Sequence, residues 1–394
     1  MNSITDSQKC TGCAACANIC PRQCITMLPD AEGFLHPQID CEKCVDCRKC
    51  ISVCPIQSKE IAGLFCEQKA FAGHSIDSSI VEHSSSGGVF SVLAEYVIQR
   101  GGVVFGASFD GPELVRHVAV RDKESLEKLR GSKYVQSIIG CSYQEAKYEL
   151  DQGKLVLFSG TPCQIAGLRH FLQREYDNLL CVDIICHSIP SPKVWKAFVE
   201  KTAAYADSKI TSANFRDKRD SWESYCLSFQ FEDGNERILN KEQNLYMHAF
   251  IGGLSTRPSC YQCAFKGDQR ESDLTLGDFW GVNYVQKEAY HSRGTSLVIV
   301  NTKKGEEALN QISSQLELIP TLMNTALLSN PAYYKPAVPH PRRARFFSEM
   351  NNEDIFSCIE TLLQPTKKEK FTRIIKRSLP YRAVSKLLRL IHNI

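Results

Sequence analysis

Residues 10–21 read CTGCAACANICP, and residues 44–55 read CVDCRKCISVCP. Both stretches follow the pattern C-x2-C-x2-C-x3-C-P, which is typical of the thiolate ligands of 4Fe–4S clusters. In a pair of such runs, the fourth cysteine ligates the other cluster. The predicted ligand sets are therefore Cys10, Cys13, Cys16 and Cys54 for one cluster, and Cys44, Cys47, Cys50 and Cys20 for the other.

Zinc sites and disulfides are the alternatives for cysteines at this density. Zinc favours separated pairs, and two crowded runs that each end in proline fit that pattern poorly. A disulfide framework fits poorly as well, because nothing in the sequence indicates secretion. Cys41 lies three residues before Cys44 and offers a second register, but the shared Cys-Pro ending favours the later one. We expect Cys41 and Cys24 to be ordinary thiols, with a role as spare ligand as the alternative.

Composition favours a globular protein with a separate cofactor module. The chain has 394 residues, 43% of them hydrophobic, and a net charge of +3. Ten of the 19 cysteines lie between residues 10 and 54. Thiolate ligands and free thiols are typical of a reducing compartment, which predicts a cytoplasmic protein. The sequence shows no signal peptide and no apolar run long enough to span a bilayer.

The order of predicted elements divides the chain into three parts. Residues 1–62 form a two-cluster ferredoxin-type module, with a hairpin predicted over residues 24–39. Residues 70–345 alternate strands with helices, which is typical of a mixed α/β domain. Strands are predicted at residues 103–109, 115–120, 154–159, 179–185, 225–231, 274–279 and 296–300, and the main helices at 89–99 and 164–173. Residues 346–394 form a helical tail that is basic from residue 366 onward.

Four further cysteines are candidates for a third cluster. They are Cys163, Cys186, Cys260 and Cys263. The first two follow predicted strands directly, where ligand sites gather in α/β sheets, and the last two form a C-x2-C pair. The alternatives remain open at this point: buried cysteines that serve only packing, a zinc site, or a redox dithiol.

Nucleotide-binding signals are weak. The chain has neither G-x-G-x-x-G after a strand nor a Walker A sequence. The serine- and glycine-rich residues 84–88 precede a predicted helix, and they predict either a pyrophosphate site or a capped loop. Lys133 is a candidate phosphate contact or a solvated surface lysine. Asp278 follows a predicted strand, where it would contact a cofactor or cap a turn.

An ordered series of motifs resembles the coenzyme F-420 hydrogenase/dehydrogenase beta-subunit family. The series comprises residues 86–88, 132–134, 160–164, 215–218, the Cys260/Cys263 pair and residues 277–281. The resemblance implies a flavin-binding α/β domain that carries FAD beside a 4Fe–4S cluster. It also implies that Cys163, Cys186, Cys260 and Cys263 ligate that cluster, and that Ser86, Gly87, Gly88 and Lys133 contact FAD. Residues 341–347 resemble bacterial members associated with surface-polysaccharide synthesis.

These observations predict an iron–sulfur flavoprotein oxidoreductase. It would pass electrons between 4Fe–4S clusters and FAD, and reduce or oxidise a small organic substrate or deazaflavin. Ferredoxin or another redox protein is the expected partner. The alternatives are an electron-transfer subunit without its own substrate site and an iron–sulfur redox sensor or scaffold. No catalytic acid is assigned; the candidates are Lys133, Tyr134, His187 and Asp278.

The basic residues 366–394 suggest one further contact. Helical spacing of apolar residues there predicts either peripheral membrane binding through a basic amphipathic helix or a terminal helix packed on its own domain. Nothing else in the sequence indicates nucleic-acid binding.

Overall fold

The computed structural model describes residues 4–58, 67–351 and 353–364. The predicted basic tail at 366–394 lies outside these residues. The helices are α1 Ala15–Ile19, α2 Lys49–Ser52, α3 Ser78–Glu82, α4 Val89–Gln99, α5 Ser142–Asp151, α6 Pro162–Leu172, α7 Pro192–Ala206, α8 Leu245–Ile251, α9 Val282–Val285, α10 Lys303–Gln311, α11 Met323–Ala326, α12 Arg343–Glu349 and α13 Ile355–Leu363.

The strands form three sheets. They are β1 Ile25–Pro29, β2 Leu35–Ile39, β3 Lys69–Ser75, β4 Val103–Asp110, β5 Leu114–Val120, β6 Val156–Gly160, β7 Leu179–Ile184, β8 Ile210–Asp217, β9 Cys226–Phe231, β10 Glu236–Leu239, β11 Leu274–Asp278, β12 Ser296–Val300 and β13 Leu316–Thr321. The predicted mixed α/β class, with an N-terminal iron–sulfur module before a larger α/β domain, is confirmed.

The N-terminal module is small and built around its cysteines. Strands β1 and β2 form the predicted antiparallel hairpin, with Ile25 opposite Ile39. The short helices α1 and α2 each follow a residue in the left-handed conformation, Ala14 and Arg48. Such residues reverse the chain sharply, and each lies inside a cysteine run.

An eight-stranded mixed sheet forms the centre of the larger domain, in the order β13-β3-β12-β11-β7-β6-β4-β5. Strands β4, β6, β7 and β11 run parallel, and the outer strands are antiparallel. Alternate residues face opposite sides of a sheet. Helices α4 and α10 therefore pack on the side of Val104, Leu157 and Leu180. Helices α5 and α6 pack on the side of Phe105 and Phe158.

The N-terminal module packs on this second side. Cys13, Ala14, Ala15 and Val53 share one apolar core with α5, α6 and the sheet. Asn18 donates from its side-chain amide to the Gly140 carbonyl, at 2.9 Å. The module therefore lies beside the amino end of α6, the helix that carries Cys163.

A smaller antiparallel sheet, β10-β9-β8, forms an aromatic core with α7, α8, α12 and α13. Within the residues that the structure describes, no helix combines the length and apolar character needed to cross a membrane. The domain boundaries at 1–62, 70–345 and 346–394 stay predictions.

Candidate functional site

The structure brings the first predicted ligand set together. Cys10, Cys13, Cys16 and Cys54 all line one cleft of about 340 Å³. The loop between them is tightly curled at Gly12, which has a φ of 71°. A Cβ atom at Gly12 would lie 2.5 Å from the Gln136 side chain, so this position requires glycine. Four thiols thus converge on one space, as a 4Fe–4S cluster requires.

Burial of the thiols in this cleft changes their protonation. Burial raises the pKa of Cys13 to about 12, and it also raises the pKa values of Cys16 and Cys54. The cause is desolvation, which disfavours the charged thiolate. A coordinated metal reverses that preference, because metal-ligating thiols are deprotonated. These buried thiols would therefore become thiolates only on binding a metal.

The second set lies toward solvent and includes a fifth thiol. Burial raises the pKa of Cys50, and the Cys47 and Cys20 thiols are close enough to raise it further. Cys24 Sγ lies 3.3 Å from Cys20 Sγ, and Cys24 also interacts with Cys44. The hydrogen bond with Cys20 raises the pKa of Cys24 to about 11. Cys24 therefore lies where a spare ligand would, which was the alternative to an ordinary thiol.

Cys41 and Cys47 are both exposed. Cys41 Sγ donates to the Ile39 carbonyl at 3.8 Å, a weak contact that directs it toward the hairpin. The exposure of Cys47 places the second set at the surface of the module.

The four later cysteines also converge. Cys163, Cys186, Cys260 and Cys263 line a second cleft of about 470 Å³. Burial raises the pKa of Cys163 to about 11 and that of Cys260 to about 12, and it raises the pKa of Cys186 strongly. Four thiols therefore line one cleft here, as they do in the first group.

Local structure explains how these four thiols meet. Cys163 is the second residue of α6, which starts at Pro162. A capping box forms at its start: the side chains of Thr161 and Gln164 each accept a hydrogen bond from the other residue's backbone amide. Cys186 follows the end of β7, and the other two cysteines lie on the single-turn helix Pro258–Gln262 and at its end. Three loops at the same edge of the sheet therefore supply the four thiols.

The first and third cysteine groups are neighbours. Thr11 lines both clefts. Helix α6, which presents Cys163, contacts Cys13 at Gly167, where an added Cβ would lie 2.9 Å from the Cys13 Cβ. The sequence did not predict this adjacency, because residues 13 and 167 have no pattern in common.

The predicted FAD contacts Ser86, Gly87 and Gly88 lie against the large sheet. Ser86 Oγ donates to the Thr295 carbonyl at 2.9 Å, and the Gly87 amide donates to Ser296 Oγ at 2.9 Å. A Cβ at Gly87 would lie 2.3 Å from the Gly73 carbonyl, so the glycine allows close packing on β3. Gly88, with a φ of 88°, is the N-cap of α4.

Lys133 lies close to this loop. The Ser132 amide donates to Ser85 Oγ at 2.7 Å, which joins the two motifs. The Lys133 ammonium donates to the carbonyls of Lys128 and Arg130, at 2.9 and 2.7 Å. Burial lowers the pKa of Lys133 to about 7. The structure thus brings the predicted phosphate contacts side by side, with the lysine held by backbone oxygens.

Asp278 is held by donors that the sequence did not reveal. Arg216 donates from both terminal nitrogens, at 2.7 and 3.1 Å, and the Trp222 indole donates at 2.8 Å. The guanidinium also donates to the Ser85 carbonyl at 2.9 Å and lies 4.1 Å from the centre of the Tyr225 ring. Arg216 belongs to the motif at 215–218, which was the only signal available for it.

Comparison with known proteins identifies two segments. Residues 9–58 match the model of the 4Fe–4S dicluster domain, and residues 153–321 match the model of the C terminus of the coenzyme F420 hydrogenase/dehydrogenase beta subunit. No curated protein matches the chain. Among solved structures, a chain of the F420-reducing [NiFe] hydrogenase complex from Methanosarcina barkeri is similar at 18% identity and a TM-score of 0.45, over 77% of this chain and 92% of that one. The resemblance expected from the motifs is confirmed: a segment that matches the 4Fe–4S dicluster domain precedes a segment that matches the C terminus of the coenzyme F420 hydrogenase/dehydrogenase beta subunit.

Proposed function

We propose that the chain is an iron–sulfur flavoprotein oxidoreductase that holds three 4Fe–4S clusters and FAD. The observation that carries this proposal is the grouping of twelve cysteines into three sets, two of which line clefts that share Thr11. When bound, clusters carry single electrons and a flavin exchanges one or two, so together they support two-electron chemistry on an organic molecule.

The cysteine groups differ in exposure, which suggests their roles. Cys47 is exposed, and the first group is mostly buried. The second group is therefore the expected contact for ferredoxin or another redox partner. The third group lies at an edge of the large sheet, and its four cysteines are half-buried.

The proposed flavin site lies where residues 85–88 meet Lys133. Ser86, Gly87, Gly88 and Lys133 are its proposed contacts, supported by the hydrogen bonds between the two loops. The Arg216–Asp278 pair borders this region through Ser85. The proposed substrate is a small organic molecule or deazaflavin, and residues 341–347 support a place in surface-polysaccharide synthesis.

A specific observation favours an electron-transfer subunit as the second candidate. The catalytic candidates Lys133 and Asp278 have their polar atoms engaged by protein partners. An acid or base in that state has little freedom to exchange a proton with substrate. Turnover by the isolated chain with an artificial electron donor distinguishes the enzyme from the subunit.

Anaerobic reconstitution tests the cofactor content. The wild-type chain should bind about twelve irons and one flavin. Cys263→Ser should lose about four irons, while Cys141→Ser, an exposed cysteine outside the three groups, should lose none. A wild-type chain that retains no flavin and about eight irons would contradict the proposal.

A further inference from the structure

We propose that Arg257 is a counter-charge shared by the clefts of the first and third cysteine groups. It would raise the reduction potentials of the two clusters held there. The inference rests on the proposed function, since it concerns the clusters that those thiols would bind. None of the cysteine patterns predicts this role for Arg257.

Arg257 is only 1% exposed, and its hydrogen-bond partners are neutral groups. The guanidinium donates from Nε to the Cys10 carbonyl at 2.8 Å. Its terminal nitrogens donate to Gln136 Oε1 at 3.2 Å and to the Leu35 carbonyl at 2.9 Å. The His36 ring, in contact at 3.2 Å, completes the set.

Within the described ranges, no carboxylate lies within ion-pair distance of this guanidinium. Asp30 Oδ2 approaches His36 Nε2 at 3.3 Å and does not contact the arginine. Burial, with help from the Arg257 charge, lowers the pKa of His36 and so favours its neutral form. A buried charge is costly unless an opposite charge compensates it. Anionic groups bound in the two clefts would supply that opposite charge.

The position of Arg257 identifies those anions. Arg257 lines the cleft of the third cysteine group and donates to the backbone of Cys10 in the cleft of the first group. Its positive charge lowers the pKa values of Cys163 and Cys260, against the burial that raises them. Four thiolates around each cluster supply negative charge on both sides of the guanidinium. The single positive charge of Arg257 therefore offsets negative charge at both clusters.

The sign of the effect follows from charge. A reduced cluster carries one more negative charge than an oxidised one, so a nearby cation stabilises the reduced form and raises the potential. The second cysteine group makes no contact with Arg257 in the described part of the chain, so its cluster provides an internal reference.

The test is a redox titration followed by electron paramagnetic resonance, on the fully loaded chain. Arg257→Met should shift two of the three reduction equilibria about tenfold toward the oxidised form, equivalent to about 59 mV for a one-electron couple. The reduction equilibrium of the cluster in the second cysteine group should stay unchanged. Arg257→Lys keeps the charge and should shift the same two equilibria much less.

Arg343→Met is the matched control. Arg343 also joins the N-terminal module to the larger domain, but it pairs with the Glu32 carboxylate and stacks on Phe347. Because its charge is already compensated, all three potentials should match the wild type. A shift in this control equal to that in Arg257→Met would overturn the inference.

The other possible outcomes also decide for or against the inference. A fully loaded Arg257→Met chain with unchanged potentials overturns the inference and leaves the proposed function intact. If Arg257→Met does not load, Arg257→Lys decides: loading with near wild-type potentials supports a charge role, whereas failure to load, or a shift as large as expected for methionine, shows a structural role. Iron content of the wild type is read first, and a chain without the first and third clusters overturns both proposals.

Discussion

Cys54 lies four residues from Cys50 in the sequence but lines the cleft of Cys10, Cys13 and Cys16. Cys50 instead interacts with Cys47 and Cys20. The spacing rule for paired runs predicted this exchange, and the structure places the thiols accordingly. The rule works because the fourth cysteine follows a helical turn that carries it to the other half of the module.

We predict that Cys54→Ser loses the same cluster as Cys10→Ser and keeps the one that Cys50→Ser loses. Removing one of four thiolates destabilises only the cluster that it ligates. Iron content and low-temperature electron paramagnetic resonance of the three variants would show this. Cys41→Ser is the control and should keep both signals. A Cys54→Ser spectrum that matches Cys50→Ser would mean that each run binds its own cluster.

His117 is buried and neutral in the folded chain. Its ring nitrogens contact the Ser159 carbonyl and Ser137 Oγ, each at 3.0 Å. Burial lowers its pKa to about 4, below the usual 6.5. The stabilisation from the neutral ring is therefore complete above about pH 6.5 and is lost as the pH falls toward 4.

We predict that the free energy of unfolding falls by about 2 kcal/mol between about pH 7.5 and pH 5 because of this one group. Denaturant unfolding of the wild type and of His117→Gln, at both pH values, would measure it. The variant should show a smaller decrease by that amount. An equal decrease in both proteins would show that His117 contributes nothing to the pH dependence.

Among the elements, α6 connects two of the cysteine groups. It carries Cys163 at its start and contacts Cys13 through Gly167 one turn later. Glycine inside a helix normally costs stability relative to alanine. Here the missing side chain allows α6 to approach the loop of Cys13 closely. The lower helix stability at Gly167 is therefore accepted for close packing of α6 on the N-terminal module.

We predict that Gly167→Ala weakens iron binding in the first cleft and destabilises the chain by about 1–3 kcal/mol. The new methyl group would lie 2.9 Å from the Cys13 Cβ and 2.9 Å from the Tyr143 hydroxyl. Iron analysis and thermal unfolding would measure the two effects. Adding Tyr143→Phe removes only the second clash, so the iron loss should persist. A more stable, fully loaded Gly167→Ala chain would contradict the prediction.

The sequence predicted some elements better than others. The buried apolar runs at 103–109, 154–159 and 179–185 are confirmed as β4, β6 and β7, because continuous apolar strands are typical of a parallel sheet covered on both sides. Strands β3, β8, β10 and β13 were missed. Strands β3 and β13 pair with each other, and β3 also pairs with β12. The β3 sequence, Lys69–Ser75, contains small and polar residues with no clear alternation. Only its distant partners define it as a strand.

At the scale of the whole molecule, the N-terminal module and the larger domain share a polar and an apolar interface. Arg343 and Arg257 reach into the module, and Asn18 reaches out of it. The cysteine runs predicted the module, and the ordered motifs predicted the family. Neither predicted the docking, because its partners are far apart in the sequence and share no motif.

We predict that removing iron with a chelator lowers the melting temperature by about 10 °C, since clustered thiols lose the cation that stabilises them. Residues 4–58 should become sensitive to protease before the larger domain. Calorimetry and peptide mapping of the iron-free and loaded chains would show this. The Cys141→Ser chain should behave as the wild type. Equal melting temperatures with and without iron would rule out a structural contribution from the clusters.

The gradient of cysteine exposure has a consequence for handling the protein in air. Oxygen should reach the exposed Cys47 before the buried thiols of the first group. Oxidative damage should therefore begin at the outer surface and progress inward. A partly aged sample would keep most of its brown colour after losing the proposed entrance for electrons, so colour and total iron would overstate how much of the preparation still works.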